Sequence, residues 1–166
     1  MDETPAELSA LQELLDASFA RASDHLTSIM QLERRLSAEQ LVADLSGMCV
    51  LNLATVTARG EPRVSAVDGH FLHGRWHFTT DGGSPKARQM RARPSVSVSY
   101  VPRDGYGVFC HGQARSLERG TPEFTRFHDH CLRHYGQSPD EWGDDIAYVQ
   151  VEPAWLVGFA FGRDDA

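Results

Sequence analysis

The sequence predicts a mainly β, α+β fold: an antiparallel barrel or sandwich with flanking helices and an N-terminal helical extension. Three observations carry this. Apolar residues recur at helical spacing over the first third of the chain, then switch to a period of two after Met48. Strands follow at short intervals with turn signals between them. A proline-capped helix from Ser84 to Ala92 interrupts the strands, and a second helix, Thr121 to Tyr135, stands late in the run.

The helical arm, residues 1–46, opens with the capping box Thr4-Pro5-Ala6-Glu7. Leu8, Leu11, Leu15, Ala22, Leu26 and Ile29 then form one apolar stripe. Asp2, Glu3, Glu7, Glu13 and Asp16 place negative charge at the N-terminal end, as the helix dipole favours. The weak segment Arg21 to Asp24 leaves one helix or two open. Ser37-Ala38-Glu39-Gln40 is a second capping box, for a short helix ending at Gly47.

Residues 47–166 read as the barrel. Val50 to Thr57 is a strand closed by the turn Ala58-Arg59-Gly60-Glu61-Pro62, and Arg63 to Val67 is its hairpin partner. Turns at Asp68-Gly69 and His73-Gly74 separate Phe71 and the Trp76 to Thr80 strand. Val96, Val98 and Tyr100 alternate with serines as a half-buried strand, and Tyr106 to Leu117 carries Gly112 as a bulge or bend. The Thr121-Pro122-Glu123 helix stops at Gly136. Ile146 to Val151 and Ala154 to Phe161 are the closing strands. With no repeat and no low-complexity linker, the reading is a single domain over residues 1–166.

Composition narrows the function. A net charge of −7 argues against a nucleic-acid surface. No apolar run reaches membrane-helix length. Met1-Asp2-Glu3 is acidic where a secretory signal is basic, and the three cysteines, Cys49, Cys110 and Cys131, form no CxxC. These features predict a cytoplasmic protein with buried or idle thiols. Of 16 basic residues one is a lysine, Lys86. A bias toward arginine codons explains the scarcity, yet makes the surviving ammonium conspicuous.

Lys86 lies in the stretch most informative for chemistry, Thr79-Thr80-Asp81-Gly82-Gly83-Ser84-Pro85-Lys86-Ala87-Arg88. Two hydroxyls leave a strand, two glycines turn the chain, and Ser84 with Pro85 caps a helix. Free N–H groups at a helix start attract an anion, and Lys86 and Arg88 add formal charge. Thr79, Thr80, Ser84, Pro85 and Lys86 are therefore candidates to hold a phosphate monoester. The plainer reading makes Ser84-Pro85 only a cap and the threonines only strand formers.

The order of a strand, a Gly-Glu-Pro turn, Arg63-Val64-Ser65-Ala66-Val67, a hairpin, Phe78-Thr79-Thr80, Ser84-x-Lys86 and Arg93-Pro94-Ser95-Val96 resembles the pyridoxamine 5′-phosphate oxidase-like family of flavin-binding split barrels. The resemblance covers Leu45 to Val101 well and the later strands loosely. It implies an antiparallel split β-barrel that binds FMN, with the deazaflavin F420 as alternative and haem in a minority of relatives. It assigns the cofactor phosphate to Thr80 and Lys86, and the ribityl chain and ring to Arg63, Val64, Ser65, Ala66 and Val67. It further implies a homodimer with cofactors at the interface, a small-molecule substrate and no covalent role for any side chain. Two departures stand out. The C-terminal Arg and His residues that grip substrate in the oxidase proper have no counterpart, so vitamin B6 oxidation is not expected. Gly107 stands where that oxidase has a flavin-contacting glutamine. A flavin or haem carrier or sensor without turnover, and a purely structural barrel, are the rival readings.

Other groups have plainer explanations. His130 and His134 have the i, i+4 spacing of helical metal ligands, but no third ligand accompanies them and no metal is expected. One of His70, His73 and His77 is a candidate to face the cofactor. Trp76, Phe159 and Phe161 are read as core, with Trp155 the aromatic best placed to approach a dimer interface.

Overall fold

The structure, a computed structural model, describes residues 3–162; Met1 and Asp2 of the acidic N-terminal end, and residues 163–166, lie outside it. Six strands close an antiparallel barrel: β1 (Met48–Val56), β2 (Pro62–Leu72), β3 (Arg75–Asp81), β4 (Ser95–Tyr100), β5 (Tyr106–Ser116) and β6 (Ile146–Ala160). They run in the order β1-β2-β3-β6-β5-β4. Helices α1 (Pro5–Ala20), α2 (Asp24–Ile29) and α3 (Ala38–Asp44) precede the barrel, α4 (Pro85–Ala92) joins β3 to β4, and α5 (Pro122–Tyr135) joins β5 to β6. Alternate residues turn inward, so Leu51, Leu53, Trp76, Phe78, Val98, Val108, Val151 and Leu156 fill the interior.

Local signals set most element ends. Thr4 and Ser37 form the expected reciprocal capping boxes, and Gly136 ends α5 with the left-handed φ of +73° that favours glycine. His73 and Gly74, both at positive φ, make the two-residue hairpin between β2 and β3.

Three expectations change. Asp68-Gly69 is not a turn: β2 runs through it to Leu72. Gly69 is needed instead because the Leu51 side chain occupies the place of its missing Cβ. The apolar stripe of the arm breaks after Ala20, where Ser23 caps a new helix, and Ile29 is exposed. Finally, the two closing strands are one 15-residue strand. Pro153 is tolerated within β6 because pairing with β3 stops at Val151, and a bulge at His111/Gly112 sits on the other side. The Glu152 carbonyl fills the space a Cβ on Gly112 would need.

Beyond Val151, no strand among the described residues pairs with β6 on its β3 side, and the arm supplies the missing partners. Ser18 Oγ accepts from Leu156 N–H at 3.0 Å and donates to Leu14 O at 2.7 Å. Arg21 donates to Ala154 O, Leu36 N–H donates to Gly158 O, and Trp155 Nε1 donates to Ser18 O. Leu11 and Leu15 carry α1 into the main core. Replacing Ser18 by Ala strands a buried N–H and should cost about 1–3 kcal/mol in urea unfolding; an unchanged midpoint would show that this contact carries no stability.

Candidate functional site

The loop from β3 to α4 is built by its own backbone. Gly82 N–H donates to Asp145 O at 2.7 Å, and the Asp145 carboxylate lies where a Gly82 Cβ would go, so a larger residue here would push that carboxylate aside. Ser84 N–H donates to Asp81 O at 3.1 Å, and Ser84 Oγ accepts from Ala87 N–H at 3.3 Å, making the expected N-cap. Ala87 and Met90 press α4 onto the barrel, and Thr55 of β1 donates to Gln89 at 2.6 Å. A cavity of about 240 Å³ lies beneath, between Met90, Pro94, Ala114 and Val149.

The predicted anion ligands divide. Arg88 is turned back to donate to Gly83 O, and Arg91 donates to Gly82 O at 2.6 Å. Both guanidiniums brace the glycine loop and are not presented as free anion ligands, contrary to the expectation for Arg88. Lys86 differs: half-buried, it makes no hydrogen bond or ion pair through its ammonium or backbone N–H among the described residues. Pro85, at the first helical position, has no N–H to satisfy.

Thr79 and Thr80 also separate. Thr80 shares the parity of Trp76 and Phe78, which fill the barrel, whereas Thr79 shares that of His77, which meets Phe127 of α5. Alternation thus sends the two side chains to opposite faces of β3. Along β2 the same alternation acts: Val67 is buried with the core, while Val64 and Ala66 are exposed on the outer face. Arg63 reaches Glu61 on the hairpin turn at 2.8 Å.

With this geometry in view, the comparisons are decisive for family. Residues 37–157 match the pyridoxamine 5′-phosphate oxidase family. The chain belongs to this family. Solved structures share the barrel: the haem storage protein of Vibrio cholerae (TM-score 0.61, 18% identity, 74% of this chain and 93% of that one); an FAD-binding protein of Mesorhizobium loti (0.59, 23%, 75% and 93%); and an F420 reductase (0.53, 24%, 68% and 91%). At these identities they establish the fold alone. Among curated proteins none matches. Within the family's barrel, Gly107 is explained by packing: a Cβ there would meet the Phe109 and Phe159 rings at 2.9 Å. No glutamine fits.

The histidines assemble in a way the sequence did not reveal. His70 Nδ1 lies 3.0 Å from His130 Nε2, and His70 Nε2 lies 2.9 Å from the Tyr135 hydroxyl. His134 packs edge-on against His70. Among the described residues no group of three or more His, Cys, Asp or Glu could hold a metal. His73 meets Glu7 at 3.0 Å. The spacing of α5 placed His130 and His134 on one face, but only the fold brings His70 across from β2. Trp76 is core, as expected. Trp155 stacks on His111, and Phe159 and Phe161 pack against each other beside the arm.

Burial, reinforced by neighbouring histidines, lowers the pKa of His70 to about 3. Burial lowers that of His77 to about 4. Both fold neutral, while the unfolded chain protonates them near 6.5, so the unfolded state binds more protons below that pH. Stability should therefore fall as pH drops from 6.5 toward 4 and, through His70, toward 3. Urea midpoints of the wild type and of His70→Gln across this window should show a shallower slope in the variant; equal slopes would remove His70 from the account.

Proposed function

We propose that this chain is a flavin-dependent oxidoreductase that binds FMN, or alternatively F420, as a homodimer acting on a small molecule in the cytoplasm. Lys86 carries this reading. It is the chain's only lysine, and among the described residues nothing claims its ammonium or backbone N–H at the start of an eight-residue helix. That chemistry suits a phosphate monoester, because charge-assisted hydrogen bonds are the strong kind and a helix start adds its dipole. Ser84 can still donate its hydroxyl proton while accepting from Ala87, and Thr80 is the threonine whose parity separates it from the α5 face. On this reading residues 1–166 are one cofactor-binding domain, and Arg63 to Val67 line the cofactor through their backbone and through side chains other than the buried Val67.

The outer face of β1 and β2 supports the homodimer. Val64 and Val50 are 70% and 56% exposed, Ala54 pairs with Val64 and Asn52 with Ala66, and the one charge on this strip is Asp68, opposite Val50 at its end. A largely apolar sheet face of this kind suits a second copy. Bound flavin would supply hydride chemistry, while the chain positions it and excludes water. The haem storage protein among the structural neighbours supports a second reading, a carrier or sensor without turnover.

The visible spectrum of the purified protein separates FMN, F420 and haem. Titration with FMN should show that Lys86→Ala weakens affinity by roughly 10- to 100-fold, the range for a lost charged hydrogen bond. Protein that is colourless and takes up neither FMN nor F420 would end this proposal. Cofactor binding without reduction by a nicotinamide donor or reduced F420, whatever the acceptor, would favour the carrier.

A further inference from the structure

Register builds a polar row under α5. Gln150 of β6 lies opposite His77 of β3, and His77 opposite His70 of β2, with Arg115 of β5 beyond Gln150. His70 is 1% and His77 6% exposed. A sheet face covered by a helix is ordinarily apolar, and polar groups buried there cost stability unless each is bonded. His77 Nε2 meets Gln150 Oε1 at 3.1 Å, and Phe127 of α5 packs on the His77 ring. His70 spends both ring nitrogens on α5, Nδ1 on His130 at 3.0 Å and Nε2 on the Tyr135 hydroxyl at 2.9 Å.

The two ends of α5 are therefore fastened differently. Toward its start, Phe124 and Phe127 pack on Tyr148, whose hydroxyl donates to Asp140 in the turn after α5. Arg119 holds the Asp140 carboxylate with two hydrogen bonds and lowers its pKa to about 2, so this mooring keeps its charge in mild acid. Toward its end the fastening is imidazole. The His130 and His134 rings lie 4.7 and 4.9 Å from that of His70. His77 of β3 adds a further imidazole, Asp68 of β2 and Cys131 of α5 act on Tyr135, and β1 places Met48 opposite His70. No carboxylate pairs with His70 or His134 among the described residues.

A neutral His70 has one N–H and one lone pair, and its two partners use both. One added proton can be shared along the contact between His130 and His70. A second or third sets like charges on rings this close, with His70 shut off from water, and they repel. We infer that the C-terminal half of α5 is an acid-released latch, closed while His70, His130 and His134 together hold no more than one proton, and lifting from β2 when they take up more. Burial, with the neighbouring imidazoles, lowers the pKa of His70 to about 3 in the closed form, whereas an imidazole freed into water titrates at about 6.5. Opening thus binds a proton that closure excludes. Each pH unit below ~6.5, down to about 3, then favours the open form by up to ~10-fold.

Cys131 can report the latch. It follows His130 on α5 and is 1% exposed, while Cys49 and Cys110 are buried in the barrel core. Labelling the full chain with 4,4′-dithiodipyridine, scaled to glutathione at each pH and located by mass spectrometry, reads the three thiols separately. From about pH 7.5 to about pH 5 the scaled rate at Cys131 should rise ~10-fold or more, with Cys49 and Cys110 unchanged. His70→Gln keeps a donor and an acceptor for His130 and Tyr135 but cannot ionise, so it should flatten the rise. His134→Gln removes one charge at an exposed position, where folding is not at stake, and should also reduce the rise. No rise at Cys131, an equal rise at Cys110, or an undiminished rise in either variant would overturn the latch. None of these readouts involves a cofactor, so the latch and the flavin reading stand or fall separately.

Discussion

Closure of the barrel depends on how the far half of β6 is completed. The strand is long enough to pair with β5 along its whole length, but β3 reaches only to Val151. Left open, residues beyond Glu152 would present unpaired N–H and carbonyl groups, the feature that makes edge strands templates for aggregation. The N-terminal arm meets this need group by group, through Ser18, Arg21 and Leu36, and Arg35 adds a bridge to Phe159. Packing follows from the same placement: once Ser18 is anchored on Leu156, Leu11 and Leu15 fall into the core and Phe19 joins Met30 and Val157. The arm is therefore part of the barrel wall. Its contacts at the other end, Glu3 to the His73 N–H and Glu7 to the His73 ring, hold it to the β2–β3 hairpin.

How far the sequence could be read follows the range of the determining interaction. Helix starts at Thr4, Ser37, Ser84 and Thr121 were legible because a cap is decided by residues three apart. The bulge at Gly112 and the stop at Gly136 were legible as glycine signals. Gly69 was misread as a turn because its cause, the Leu51 side chain, sits on another strand. The continuity of β6 was hidden for a related reason. Proline breaks a strand only where its N–H is needed, and that depends on where β3 ends.

The same distinction runs through the candidate phosphate loop. Its cap and its glycines were visible, as was the oddity of a lone lysine. Hidden from a linear reading were the partners of the cations. Arg88 and Arg91 look equivalent to Lys86 as charges, yet both are spent on the carbonyls of Gly83 and Gly82. A guanidinium is long and forked enough to reach back across a helical turn to such carbonyls, whereas Lys86 leads the helix and has none to cover. Strand alternation then separates Thr79 from Thr80 for a reason that owes nothing to the loop.

The polar row under α5 is the part of the molecule least legible in advance, since His70, His77, Arg115 and Gln150 come from four strands and become neighbours only through register. Its energetics also set it apart from ordinary core. Neutral imidazoles can be buried, but their hydrogen-bonding capacity must be spent, and the partners available to His70 are side chains of α5 itself, His130 and Tyr135. Helix and sheet are thus held in register by polar contacts as well as by the Phe127, Cys131 and Tyr148 cluster. An apolar row would have held α5 as well without obliging four residues to satisfy one another. The polar alternative costs stability as the histidines are called on to ionise, because burial disfavours the charged form of both His70 and His77.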